Sequence, residues 1–112
     1  MSTTRSPVLE IAVFTVQAAN VFPVVQQRTQ DALATLSRFR TRLRLRGTTE
    51  RLFADLVPWE SLAAAEHAAI VVREDPRFAP LMTSIAELKL YAHYARTRCS
   101  LGRMWLRKSR RF

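Results

Sequence analysis

The chain has 112 residues, 48% of them hydrophobic and 24% charged, which is the balance of one soluble globular domain and excludes wholesale disorder. A single cysteine, Cys99, excludes an intrachain disulfide and a thiolate zinc cage. The net charge of +9 is unevenly placed. Residues 1–95 carry 11 basic groups against all 9 acids, whereas residues 96–112 carry seven basic groups and no acid. The basic character belongs to the C-terminal tail, so the domain as a whole is not built to grip phosphates.

Val8 to Val16 opens the ordered chain as a strand rich in β-branched residues and apolar on both alternating faces except at Glu10. Such a strand is expected in a sheet covered on both sides. The same charge, and a length far short of the ~20 residues a membrane span needs, argue against an export or membrane segment. A cytoplasmic protein is the expectation. Asn20 offers an N-cap to a helix running to about Leu36, with Pro23 tolerated in its first turn.

From Arg38 to Arg46 the period becomes two. Arg38, Arg40, Arg42, Arg44 and Arg46 fall on one face, and Phe39, Thr41, Leu43 and Leu45 on the other. Gly47-Thr48-Thr49-Glu50 predicts a turn, with Arg51–Val57 returning as the hairpin partner. Asp55 stands opposite to Ala54 and Leu56 in facing, where it could neutralise an arginine across the strands. Ser61 is the expected N-cap of a second helix carrying Leu62, Ala65 and Ala69. Asp75-Pro76 starts a short helical turn ending near Met82. Leu88 to Ala95 alternates again and is read as the last strand. The predicted order βαββαβ is α+β and ferredoxin-like, with a four-stranded antiparallel sheet.

The run Leu56-Val57-Pro58-Trp59-Glu60-Ser61-Leu62-Ala63-Ala64-Ala65-Glu66-His67, followed by Asp75-Pro76-Arg77-Phe78, resembles the antibiotic-biosynthesis-monooxygenase-like branch of the dimeric α/β-barrel superfamily. The carriers are a Trp-x-Ser closing the third strand, an Ala-rich helix and a Pro-x-Phe turn. The resemblance covers about residues 8–96 and implies a homodimer whose two sheets pack face to face; with the charge distribution, the chain divides into a domain over residues 1–96 and a basic tail over 97–112. It also implies a small cavity in each subunit. Some members oxygenate aromatic compounds with O2 and no cofactor, while others degrade haem. Ile11, Ala12 and Val13 stand where haem-degrading relatives have an asparagine, and Glu66 where they have a tryptophan, so the haem branch is not expected. Trp59 carries over as a cavity-wall residue.

Tyr91 and His93 share one face of the last strand with Lys89. An imidazole beside a phenol can orient a phenolic substrate and take its proton, and such a strand face can equally meet water or a partner. Arg42 and Arg44 can anchor an anionic substrate, while a basic face can also guard a sheet edge. His67 reads as a surface or half-buried histidine, and neither histidine has a second ligand at metal spacing. The leading expectation is therefore a cofactor-independent monooxygenase acting on a small aromatic or quinol-type compound, with no metal or cofactor. Its catalytic residues would be His93 and Tyr91, and its binding residues Trp59, Arg42 and Arg44. The alternative is a non-catalytic ligand-binding or structural homodimer. The tail, with Trp105 and Phe112 among its basic groups, can tether either to an anionic polymer or membrane surface.

Overall fold

The computed structural model describes residues 6–49 and 51–95; Cys99 and the basic tail lie outside them. Four strands and three helices follow in the order β1 (Val8–Val16), α1 (Phe22–Leu33), β2 (Leu43–Arg46), β3 (Leu52–Trp59), α2 (Leu62–Glu74), α3 (Ala79–Ser84) and β4 (Ile85–Ala95). A single 3-10 turn, Pro76–Phe78, joins α2 to α3. The sheet is antiparallel throughout, in the order β2-β3-β1-β4. This is the ferredoxin-like arrangement that the chain's pattern predicts.

Register sorts the side chains. Glu10 of β1 stands level with Val57 on β3 and His93 on β4, and Ala12 with Asp55 and Tyr91. One face of the sheet therefore presents Val8, Glu10, Ala12, Phe14 and Val16 of β1 to the helices. The other presents Leu9, Ile11 and Val13, level with Leu56 and Ala54 of β3 and with Tyr94, Ala92 and Leu90 of β4. The helices cover only the first face, so the expectation that both sides are covered is not met among the described residues. On the second face Leu43, Leu45, Leu90 and Tyr94 stand exposed.

The core has two ends. At one, Phe22 at the start of α1 packs its ring 4.7 Å from Phe53 and 5.9 Å from Phe14, and all three are buried. At the other, Trp59 packs on Ala64, Ala65 and Ala68 of α2, whose small side chains let the helix approach the sheet closely. Phe78 is fully buried between them against Ala32 and Leu33. Ser61 caps α2, its Oγ accepting from the amide of Ala64 at 3.1 Å, and Asp75 accepts from the amide of Arg77. Both caps are as predicted. In contrast, α1 is preceded by Val21 rather than Asn20 and has no side-chain cap. It ends at Leu33 because Thr35 and Leu36 tighten into turns on Ala32 and Leu33.

The second strand is shorter than its alternation suggests: only Leu43–Arg46 pair with β3. Phe39 leaves the alternating pattern to pack edge-on against Trp59, with ring centroids 6.2 Å apart. Arg40 turns back onto the carbonyl of Ser37, and Arg38 reaches Glu60. The β2–β3 turn needs Gly47, since a Cβ there would come within 2.6 Å of the Leu52 side chain. Arg51, at φ 66°, supplies the left-handed step that returns the chain. The last strand starts at Ile85, and a register shift passes over Lys89, so Leu88 pairs with Phe14 and Leu90 with Val13. Lys89 consequently does not join the Tyr91–His93 face but pairs with Glu87 in solvent.

Candidate functional site

Sheet, α1, α2 and α3 enclose a cavity of about 290 Å³. Most of its wall is apolar: Ala12 and Phe14 on the sheet, Leu33 on α1, Val72 on α2, Phe78 before α3, and Leu81 on α3. Arg73, Met82, Leu88 and Tyr91 line it and are also exposed, so the opening lies between α2, α3 and β4.

The polar wall comes from the sheet. Glu10 interrupts the apolar face of the central strand, and its Oε1 accepts from the indole Nε1 of Trp59 at 3.1 Å. His93 Nε2 lies 3.5 Å from the same oxygen, longer than a good hydrogen bond, and both side chains are largely buried. Tyr91 stands edge-on to His93, with ring centroids 5.3 Å apart. Burial pushes the Glu10 carboxyl above its ordinary 4.5, against the opposing pull of the Trp59 hydrogen bond and of His93. Burial likewise raises the Tyr91 phenol, with the Glu10 charge adding to it and Arg73 working against it.

A second polar group adjoins the first. Arg42, whose side chain is 1% exposed, donates from Nη2 to Asp55 Oδ2 at 3.0 Å and from Nη1 to Gln30 Oε1 at 3.3 Å. Arg42 Nε and Asp55 Oδ1 are buried without hydrogen-bond partners among the described residues. Burial dominates Asp55 and raises its pKa above the ordinary 3.8, although Arg42 and Arg44 pull it down. Among the described residues no three His, Cys, Asp or Glu side chains gather at metal-binding spacing.

The sequence-derived candidates separate on this geometry. Trp59, Tyr91 and Arg42 line the cavity, and His93 sits behind Glu10 rather than on the lining itself. Arg44 does not line the cavity: it is exposed on β2, level with Asp55. An arginine on the short edge strand has open solvent beside it, whereas Arg42, just before the strand, is drawn inward by Asp55. Glu10 was read only as a charge interrupting a strand. Its parity with Val8, Ala12 and Phe14 is the signal that places it inside. Arg73, at the opening, and Gln30, on Arg42, carried no sequence signal of their own.

No protein-family model matches this chain, and no curated protein sequence matches it either. Solved structures do. SnoaB from Streptomyces nogalater, a cofactor-independent oxygenase, superposes with a TM-score of 0.61 at 24% identity, over 83% of this chain and 93% of that one. A Caulobacter crescentus protein assigned by name to the antibiotic biosynthesis monooxygenases gives 0.66 at 16% identity, over 86% and 94%. A Chloroflexus aurantiacus protein of the same designation gives 0.67 at 8% identity, over 83% and 95%. At these identities the likeness establishes the fold, and this chain has the ferredoxin-like fold of those structures. Chemistry rests on the site.

Proposed function

We propose that the chain is a cofactor-independent monooxygenase-like protein acting on a small aromatic phenol or quinol-type compound. The observation that carries this reading is an apolar cavity of aromatic dimensions with a buried carboxylate, an indole, a phenol and an imidazole at one end. The described fold of a cofactor-independent oxygenase supports it.

In this reading the apolar walls hold the ring system flat against Ala12 and Phe14, and the Tyr91 hydroxyl orients a substrate oxygen. The Glu10–His93 pair accepts the proton. Removing it leaves an electron-rich enolate or phenolate, which gives an electron to O2, so the substrate itself is the reductant. A site walled from water protects the radical and peroxide stages that follow. Oxygen uptake over a panel of anthrones and dihydroxynaphthalenes tests the reading. The expected result is uptake by the wild type that falls about 100-fold in Tyr91→Phe, which removes the hydroxyl that orients the substrate oxygen, within the usual range for losing an acid–base partner. Absence of uptake with every compound would reject it in favour of a ligand-binding protein without turnover.

The partner proposed for the bare sheet face is a second copy of the chain. The face is apolar along its whole central strand, from Leu9 through Ile11 to Val13, and monomers rarely leave so large an apolar surface in water. A two-fold pairing would cover it on both copies at once. Sedimentation equilibrium is expected to give twice the 12.9 kDa chain mass for the wild type. Ile11→Glu, at the centre of that face, should shift the protein to a single-chain mass. A wild type sedimenting as one chain at micromolar concentration contradicts the pairing.

A further inference from the structure

The polar end of the cavity contains several groups that could take a proton, and their geometry distinguishes them. Tyr91 is a phenol, protonated at neutral pH with its pKa shifted further upward, and acts as a donor. The Trp59 indole has only a donor, already directed at Glu10 Oε1. Asp55 is ion-paired to Arg42 through Oδ2, and its unpartnered Oδ1 is fully buried. His93 is buried with Nε2 facing the Glu10 carboxylate, and it does not line the cavity. Glu10 does line the cavity, and its Oε2 has no hydrogen bond among the described residues.

We propose that Glu10 is the catalytic base of this cavity: Oε2 takes the substrate's proton while Trp59 holds Oε1 by a hydrogen bond and the His93 imidazole stands 3.5 Å from the same oxygen. This rests on the oxygenase-like reading for the kind of substrate, an aromatic carbon or oxygen acid. In the step a substrate C–H or O–H bond breaks and an O–H bond forms on Oε2. The electron pair stays on the substrate as an enolate or phenolate, so no oxidant or reductant is needed. The negative charge leaves a small buried carboxylate for an anion spread over rings, a change that an apolar wall favours. His93 is a positioning residue here, acting through Oε1. The other charged or titratable groups facing this end are Tyr91 on β4, Asp55 on β3, Arg42 before β2 and Arg73 on α2. Of the Lys, Arg and His side chains among the described residues, only His93 has a nitrogen within 4 Å of the Glu10 carboxylate.

The proton step can be observed without oxygen. Full-length protein and 1,8-dihydroxyanthrone are mixed anaerobically in D2O, and loss of the C10 methylene signal is followed by NMR across a pD series. Wild-type protein is expected to accelerate exchange, with an acid limb where Glu10 takes up a proton. Glu10→Gln, which keeps the shape and can still accept from Trp59, should slow exchange at least 100-fold. Glu10→Asp, with its carboxylate drawn back, should retain part of the rate. His93→Gln should keep most of the exchange and move the acid limb to higher pH, because His93 lowers the Glu10 pKa. Exchange unchanged in Glu10→Gln would overturn the assignment, as would an absence of wild-type exchange, or loss of the acid limb only in His93→Gln. Exchange that depends on Glu10 but leads to no oxygen uptake would uphold the base and reject the oxygenase reading. Oxygen uptake indifferent to Glu10 would do the reverse.

Discussion

Replacing Phe22 by alanine is expected to cost about 3–5 kcal/mol, a large share of the roughly 5–15 kcal/mol that holds a domain of this size. Phe22 is fully buried, and its ring joins two strands to the first turn of α1 through Phe53 and Phe14. No side chain caps that helix, so its start is fixed by this packing. Truncation removes the ring's burial and leaves a void lined by two rigid aromatic rings that cannot close over it. The transition midpoint should fall by more than about 10 °C. Val24→Ala, two residues along on the exposed side, is the control and should change stability by no more than about 0.5 kcal/mol. Urea titration followed by far-UV circular dichroism measures both. A Phe22→Ala protein as stable as the control would show that the aromatic cluster does not anchor α1.

Arg42→Met is expected to destabilise the protein by about 3–5 kcal/mol at neutral pH, because it leaves the Asp55 carboxylate buried without its cation. Asp55 has a folded pKa already above its ordinary 3.8, and losing Arg42 removes the first of the influences that hold it down. For a carboxyl raised on folding, the neutral form is the one that the folded state favours. The penalty is therefore absent below pH 3.8 and grows as pH rises through the folded pKa. The variant should accordingly lose most stability at pH 7 and recover toward the wild type on acidification. Arg42→Met/Asp55→Leu removes both charges and should return close to wild-type stability, since well-packed apolar replacements of a buried pair are often neutral or better. Denaturant midpoints for the three proteins across a pH series provide the check. A double variant as unstable as the single one would show that the guanidinium stabilises by its packing and its bond to Gln30, and not by neutralising Asp55.

Much of the scaffold was legible in the sequence because the relevant signals are local. The β-branched run of β1, the Ser61 cap and the Asp75-Pro76 restart each act over a few residues, and each stands where the pattern placed it. The segment before β2 was misread for the opposite reason. Its alternation is real, but Phe39 gains more by packing on Trp59 than by pairing in a strand, and Arg42 is captured by an acid 13 residues away. The shift at Lys89 also lacked a sequence signal, since one passed-over residue reverses the facing of Glu87 and Leu88 until a second shift restores it at Ile85. Within the site, Tyr91 and His93 could be named from chemistry, and Trp59 from the family resemblance of its stretch. Glu10 could not be ranked beside them until the register set it level with His93, because a lone acid in a greasy strand ordinarily reads as a break in the pattern.

The sheet order has a consequence for when this protein acquires its pocket. β4 is the last described strand to be synthesised, yet it pairs with β1, the first: Val8 stands beside Ala95. Everything from α1 to α3 must be accommodated before that edge can close, and pairings of such long sequence separation are slow to form. Tyr91 and His93 arrive on this closing strand, while Glu10 and Trp59 wait on the strands already in place. A chain ending before Ile85 would lack the phenol, the imidazole and the wall that Ile85 and Leu88 supply. The pocket is thus complete only once the first and last described strands have paired.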